Sequence, residues 1–252
     1  FGVVSVCAGA GIADVFQQTF PNDGLAWNPS GQFVELVYNG VHVGNYYLCE
    51  HIKIDGNRLD ITDPFDEKDG YSGSPEDYGY LLEADDGYDE PWKFTTANYI
   101  PFLFKDDGND EMQTYAAEVV RGIEEQLYAG NYSAAYEHLD ITSLVDYWLI
   151  QEVMMNSEMK HPKSVYMYLN KGKLYAGPIW DFDWNTLPVS SSYAEEGYSY
   201  TASMLAKAKP YHKRSGYPTE PKYDSDQNYV WYPMLVKDAS FSDKKIGVIK
   251  VA

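Results

Sequence analysis

Two turn signals, Asn39-Gly40 and Asn170-Lys171-Gly172, each lie between runs of β-branched and aromatic residues. Asn-Gly accepts the positive φ angles of a type I′ turn, the tight connection of two antiparallel strands. The first hairpin is expected to pair Phe33-Val34-Glu35-Leu36-Val37-Tyr38 with a strand running from residue 41 to about residue 54, and the second to pair 164–169 with 174–180. Between them lie further strand-like segments, over 78–82, 92–96 and 100–104, linked by Asp, Gly, Ser and Pro loops. The fold class that follows is α+β, with antiparallel hairpins and a helical lobe.

The helices are read from spacing. Over 113–129, Ala116, Val120, Ile123 and Leu127 recur at helical intervals, so one face is buried and a Glu-rich face is wet. Gly130 and Asn131 stop that helix. A second begins at Asp140 or Thr142, places Leu144, Trp148 and Met155 on one side, offers capping-box spacing at Ser143 and Asp146, and ends near Asn156. Residues 1–20 read as a short helix, and their Gly9-Ala10-Gly11 lacks the third glycine of a phosphate-binding fingerprint. Long loops are expected from Pro188 to about Asn228, then a docking helix over 231–235. At 252 residues the chain reads as one domain over 1–252: mainly strands and loops over 1–110, helices and a hairpin over 111–185, and a loop-rich part over 186–252.

Charge narrows the function classes. A net charge of -19 opposes binding to nucleic acid or insertion at an anionic membrane surface, both of which need basic surface. Between Asp55 and Glu111, 17 acidic residues face only Arg58, Lys68, Lys93 and Lys105, which reads as a solvated acidic face. No apolar run is long enough to span a bilayer. Cys7 and Cys49 have no zinc-type spacing and read as two buried thiols, with a disulfide between them as the alternative, and the five histidines have no zinc-type spacing either. The run Asp106-Asp107-Gly108-Asn109-Asp110-Glu111 lacks the twelve-residue calcium-loop pattern and reads as a solvated turn, and no GxSxG element is present. The many Tyr and Trp residues could form a sugar-stacking platform, but at alternating strand positions they read as core.

What remains is acidic chemistry at one place. Trp180-Asp181-Phe182-Asp183 leaves the second hairpin beside the loop that follows the second helix, where Asn156 and Glu158 stand. Two acidic groups are thereby brought to one edge of a sheet. A polar loop followed by an acidic residue in this way is an arrangement that holds a metal and a nucleotide in phosphotransferases.

Four stretches in order carry a resemblance: Val34-Glu35-Leu36-Val37-Tyr38-Asn39-Gly40 continuing to Gly44-Asn45-Tyr46-Tyr47-Leu48-Cys49-Glu50; Leu139-Asp140-Ile141-Thr142-Ser143-Leu144-Val145-Asp146-Tyr147-Trp148; Lys163-Ser164-Val165-Tyr166-Met167-Tyr168; and Gly177-Pro178-Ile179-Trp180-Asp181-Phe182-Asp183. Together these resemble the spore coat protein H (CotH) kinase family over roughly residues 30–185. The resemblance implies an atypical protein-kinase-like fold that binds ATP with Mg2+ (or Mn2+) and phosphorylates serine in a protein substrate. It also implies a spore-coat or secreted, extracellular setting, and similar domains occur in extracellular proteins of cellulose-degrading bacteria.

Carried over by position, Asp181 stands as the metal-binding Asp and Asp183 as the motif's second carboxylate. Glu158 stands where the family has the Asp of an Asn-x-Asp motif that begins at Asn156, one methylene longer than that Asp. Asn156 either holds a catalytic loop or ends the helix. Ser164 replaces a family Asn and could turn an oxygen toward metal, and Lys163 could meet phosphate or Glu158. Glu50 closes a Tyr-x-Leu-x-Glu pattern and could lie beside the nucleotide or pair with Lys53 or Arg58. The basic residues with which the family's N-terminal lobe reaches phosphate have no counterpart before Phe1, so that lobe is expected to be incomplete and the chain a trimmed part of a longer one. Without such a cation, two carboxylates repel a triphosphate unless metal bridges them. The alternative is a catalytically inactive secreted module of the same fold, attached to a scaffold protein or to carbohydrate in polysaccharide-degrading machinery.

Overall fold

The computed structural model describes residues 25–65, 73–85, 87–154, 156, 162–182 and 230–243. The segments expected as a helix over 1–20 and as loops up to residue 228 fall outside these residues, as does Cys7. Strands β1 (Gly31–Tyr38) and β2 (Val41–Cys49) form the first hairpin, with Asn39 at φ 49° and Gly40 at φ 78° in its turn. β2 ends at Cys49, short of the expected strand to residue 54. Ile54 keeps only an isolated bridge to Leu59. Cys49 is half-buried there, less enclosed than a core thiol.

A five-stranded antiparallel sheet follows, in the order β4-β5-β3-β6-β7. Its strands are β3 (Gly79–Ala84), β4 (Lys93–Thr95), β5 (Pro101–Phe104), β6 (Val165–Asn170) and β7 (Lys173–Ala176). β3 is central and buried throughout because both faces of the sheet are covered. Tyr80, Leu82 and Ala84 pack into the helical core, whereas Leu81 on the opposite face joins Ile52, Ile54, Leu59, Tyr166 and Tyr168. The second hairpin is shorter than expected at both ends. Ser164 is left-handed at φ 50°, so the strand starts at Val165. After Ala176 come Gly177 at φ 106° and Pro178, which has no N–H to continue a ladder.

Helix α1 (Asp110–Ala129) starts where the Asn109 side chain accepts the Met112 N–H, and it stops at Gly130, left-handed at φ 76°. The acidic run expected as a solvated turn ends in this cap. Its one buried acid, Glu124, is a clamp: Oε1 accepts the Asn98 backbone and side-chain N–H groups at 2.9 and 3.0 Å, and Oε2 accepts the Trp231 indole N–H at 3.0 Å. A short helix α2 (Tyr132–His138) is an addition that periodicity does not reveal, since seven residues with only Ala135 buried carry no repeat.

Helix α3 (Ile141–Met154) is buried along most of its length. The one-sided helix expected here is therefore corrected. It starts at Ile141, as expected near Asp140 or Thr142, but the capping box expected at Ser143 and Asp146 is corrected: Asp140 supplies the cap by accepting the Ser143 N–H at 2.8 Å, while Asp146 is buried within the helix. The Ser143 hydroxyl instead accepts the Ala176 N–H at 3.0 Å and ties α3 to β7. The expected docking helix is α4 (Tyr232–Leu235), seated with Tyr232 against Trp148 at 4.6 Å between ring centroids. Among the described residues, Tyr80, Phe94, Phe102, Phe104, Trp148 and Trp231 build the core, whereas Phe33 and Tyr38 on the first hairpin are exposed. Among the described residues no helix is long and apolar enough to cross a membrane.

β3 also carries a buried charge. Glu83 Oε2 meets Lys105 Nζ at 2.9 Å, and the same ammonium meets Glu90 Oε1 at 2.9 Å. Burial raises the Glu83 carboxyl, and the Lys105 hydrogen bond and charge oppose that rise. Burial disfavours the Lys105 ammonium, but the hydrogen bonds it donates to Glu90 and Glu83 overcome this and hold it above the usual lysine range.

Two stability measurements test this packing. Glu124→Ala strips the acceptors from the Trp231 and Asn98 N–H groups and is expected to cost about 3 kcal/mol in urea unfolding, with Glu124→Gln losing about half as much. Lys105→Met leaves burial as the stronger influence on Glu83 and lifts its folded-state pKa further above the unfolded value. A carboxyl raised in that way contributes stability that is lost as pH rises through its folded pKa. Unfolding of Lys105→Met is therefore expected to show stability falling by about 3 kcal/mol between about pH 5 and pH 8. Adding Glu83→Gln is expected to flatten that slope.

Candidate functional site

The site is assembled by the ends of three segments. β3 pairs with β6 so that Ala84 lies opposite Val165, which sets the next residues outward, Asp85 and Ser164, beside each other. Beyond β7 the chain turns back along β6, with the Gly177 N–H donating to the Tyr166 carbonyl at 3.0 Å. The Ile179 N–H then donates to Asn28 Oδ1 at 2.8 Å. Ile179 and Phe182 are buried on either side of Asp181, and Trp180 sets its edge toward His51 at 6.4 Å between ring centroids. Asp181 thus leaves the sheet between two apolar anchors, in a left-handed conformation at φ 56°. Non-glycine residues hold such angles only where their surroundings enforce them.

Its partner is Ser164, whose hydroxyl donates to Asp181 Oδ2 at 3.3 Å. The Ser164 backbone N–H donates to Asp85 Oδ2 at 3.4 Å, and Lys163 Nζ lies 3.2 Å from Asp85 Oδ1. Beneath them, Tyr166 stands opposite Glu83 in the ladder and donates its hydroxyl to that carboxylate. Burial raises the Tyr166 phenol first, and the charges of Glu83, Asp85 and Asp181 raise it further, so it stays neutral and can only donate or accept as a hydroxyl.

Of the residues singled out from sequence, Asp181, Ser164 and Lys163 come together. Lys163 pairs with Asp85; Glu158 and Asp183 lie outside the described residues. Asn156 is buried, with its N–H on the Gln151 carbonyl at 3.0 Å, and so closes the end of α3. Glu50 sits elsewhere, at the base of the first hairpin, where its Oε2 accepts the Ser30 N–H at 2.9 Å and the Ser30 hydroxyl at 2.8 Å. Those bonds hold its carboxyl below the usual range, with a smaller contribution from the charge of Arg58. Asp85, Glu83 and Lys105 complete the neighbourhood without belonging to any motif. Glu83 interrupts an apolar strand run, which is the one local sign of it; Asp85 shows only once the β3–β6 register is known.

A carboxylate with an adjacent hydroxyl is a hard-oxygen set. It suits Mg2+ or Mn2+, which keep several waters and take one or two carboxylates together with phosphate oxygens. Among the described residues no larger group of His, Cys, Asp and Glu gathers into a metal cage. Asp181 and Ser164 are the groups that would face such an ion, and Lys163 the cation beside it.

No curated protein sequence matches the chain. The family model described as CotH kinase protein matches residues 15–248, nearly the whole length and all of the elements that build the site. This chain belongs to the CotH kinase protein family.

Proposed function

We propose that the protein is a phosphotransferase of the CotH type, with a protein-kinase-like arrangement of its elements, that moves the terminal phosphoryl group of ATP to a serine of a protein substrate. The observation that carries this reading is the meeting of Ser164 and Asp181, two residues in left-handed conformations, with Lys163 one residue away on the Asp85 carboxylate. Mg2+ or Mn2+ with ATP supplies the phosphoryl group and neutralises the charge that develops on it.

The chain's own residues have distinct parts in this reading. Asp181 and the Ser164 hydroxyl present oxygens to the ion, and Asp183 adds a second carboxylate from the same motif. The Lys163 ammonium, 42% exposed, meets phosphate oxygens while Asp85 holds it near the site. Glu158, two residues beyond the buried Asn156, orients the acceptor hydroxyl and receives its proton. Glu50 contributes by fixing the base of the first hairpin. The family relationship favours a spore-coat or secreted setting, and the acidic surface favours a protein substrate over nucleic acid.

In a chain of net charge -19, ATP without a bridging cation meets repulsion. Calorimetric titration of ATP is therefore expected to give heat only with Mg2+ or Mn2+ present. Asp181→Asn is expected to weaken that binding by more than about 100-fold. Metal-dependent binding that survives Asp181→Asn unchanged would remove Asp181 from the site, and no binding under any condition would favour the non-catalytic module.

A further inference from the structure

Asp85 belongs to no motif of the chain, yet both of its carboxylate oxygens are engaged at the site. Oδ1 accepts the Gly87 N–H at 2.5 Å and faces Lys163 Nζ at 3.2 Å, and Oδ2 accepts the Ser164 N–H at 3.4 Å. Its side chain is only 16% exposed. These donors all belong to backbone or ammonium, so the carboxylate is spent on holding chain segments in place.

The segment it holds is strained. Ser164, at φ 50°, sits in a region that an ordinary L-residue holds only where its surroundings enforce it. Two restraints keep it there: the ladder that begins at Val165, opposite Ala84, and the bond from its own N–H to Asp85. The left-handed turn is what separates the direction of the Ser164 side chain from the alternation of β6. With it, the hydroxyl reaches Asp181 Oδ2.

We infer that Asp85 is a positioning residue: its carboxylate holds the Lys163-Ser164 loop in the left-handed turn that aims the Ser164 hydroxyl at Asp181. It acts through Ser164 and does not itself face the metal. The inference rests on the reading of Asp181 and Ser164 as the metal-facing pair, and it adds the group that sets their geometry. Residues standing behind a ligand in this way govern its orientation and the affinity of the ion.

The test is a double-mutant cycle on the full chain, read as binding of Mn2+ alone by the loss of the free-ion electron paramagnetic resonance signal at 150 mM KCl, with circular dichroism to confirm folding. Asp85→Asn and Ser164→Ala are each expected to weaken Mn2+ binding about tenfold, and the double variant by no more than either alone, because both break the same chain of contacts. Wild-type affinity in Asp85→Asn, or losses that multiply in the double variant, would overturn the positioning role. If Asp85→Asn does not fold, Asp85→Ser takes its place, since the shorter side chain can still turn toward Gly87 but does not span to Ser164. Asp181→Asn, run in parallel, separates the two ideas. If it binds Mn2+ as the wild type does, the phosphotransferase reading falls and takes the role of Asp85 with it. If it alone loses binding, that reading stands and the positioning role fails.

Discussion

Six residue pairs, from Gly79 opposite Asn170 to Ala84 opposite Val165, bind β3 to β6, and this register decides which side chains share a face and which loops share an edge. Because side chains alternate along a strand, a slip of one residue would turn Tyr80, Leu82 and Ala84 out of the helical core and drive Leu81 and Glu83 into it. The burial of β3 on both faces makes such a slip costly twice over. The site inherits that precision: Asp85 leaves β3 where Ser164 enters β6, and the segment that leads to Asp181 follows the neighbouring β6–β7 ladder through the Gly177 bond to Tyr166.

The acids of this chain divide by what surrounds them. Among the described residues, those such as Asp60, Glu76, Asp77, Asp107, Glu118 and Glu125 lie in water, where mutual repulsion is screened. Three of those drawn inward have dedicated donors. Glu124 is met by neutral N–H groups from a loop and from the C-terminal segment, Glu83 by an ammonium and a phenol, and Asp85 by backbone and Lys163. Each joins parts of the chain far apart in sequence, so the inward acids act as cross-links in an otherwise apolar interior. The cost of taking a carboxylate out of water is offset only while those donors stay in place.

Much of this was legible in the residues. Asn39-Gly40 and Asn170-Lys171-Gly172 mark both hairpins because their turns require φ angles that few residues accept, and Gly130 marks the end of α1 for the same reason. Asp181 was singled out by the Trp180-Asp181-Phe182-Asp183 stretch at the exit of the second hairpin and by its resemblance to the family motif. The rest depended on contacts that no local pattern carries. α3 is buried almost all round because Leu144, Val145, Tyr147, Trp148, Leu149 and Ile150 turn apolar side chains to every face, which a single stripe through Leu144, Trp148 and Met155 left out. Asp85 and Lys105 gain their meaning from strands paired across long stretches of sequence, and Ser164 read as a strand residue because alternation does not reveal a left-handed turn.

The first hairpin has a different import. Among the described residues, Phe33, Val37, Tyr38, Val41 and Leu48 are all exposed on a ribbon of two strands, each with an edge that no other described strand pairs. Such an edge is a template for joining another chain, and apolar side chains beside it reward the encounter. Two copies that approach through this ribbon must first bring together bodies of net charge -19. That repulsion fades as salt shortens its reach to a few ångströms. Salt thus lowers the electrostatic barrier to an encounter between ribbons, which is the direction in which ionic strength acts on so acidic a chain.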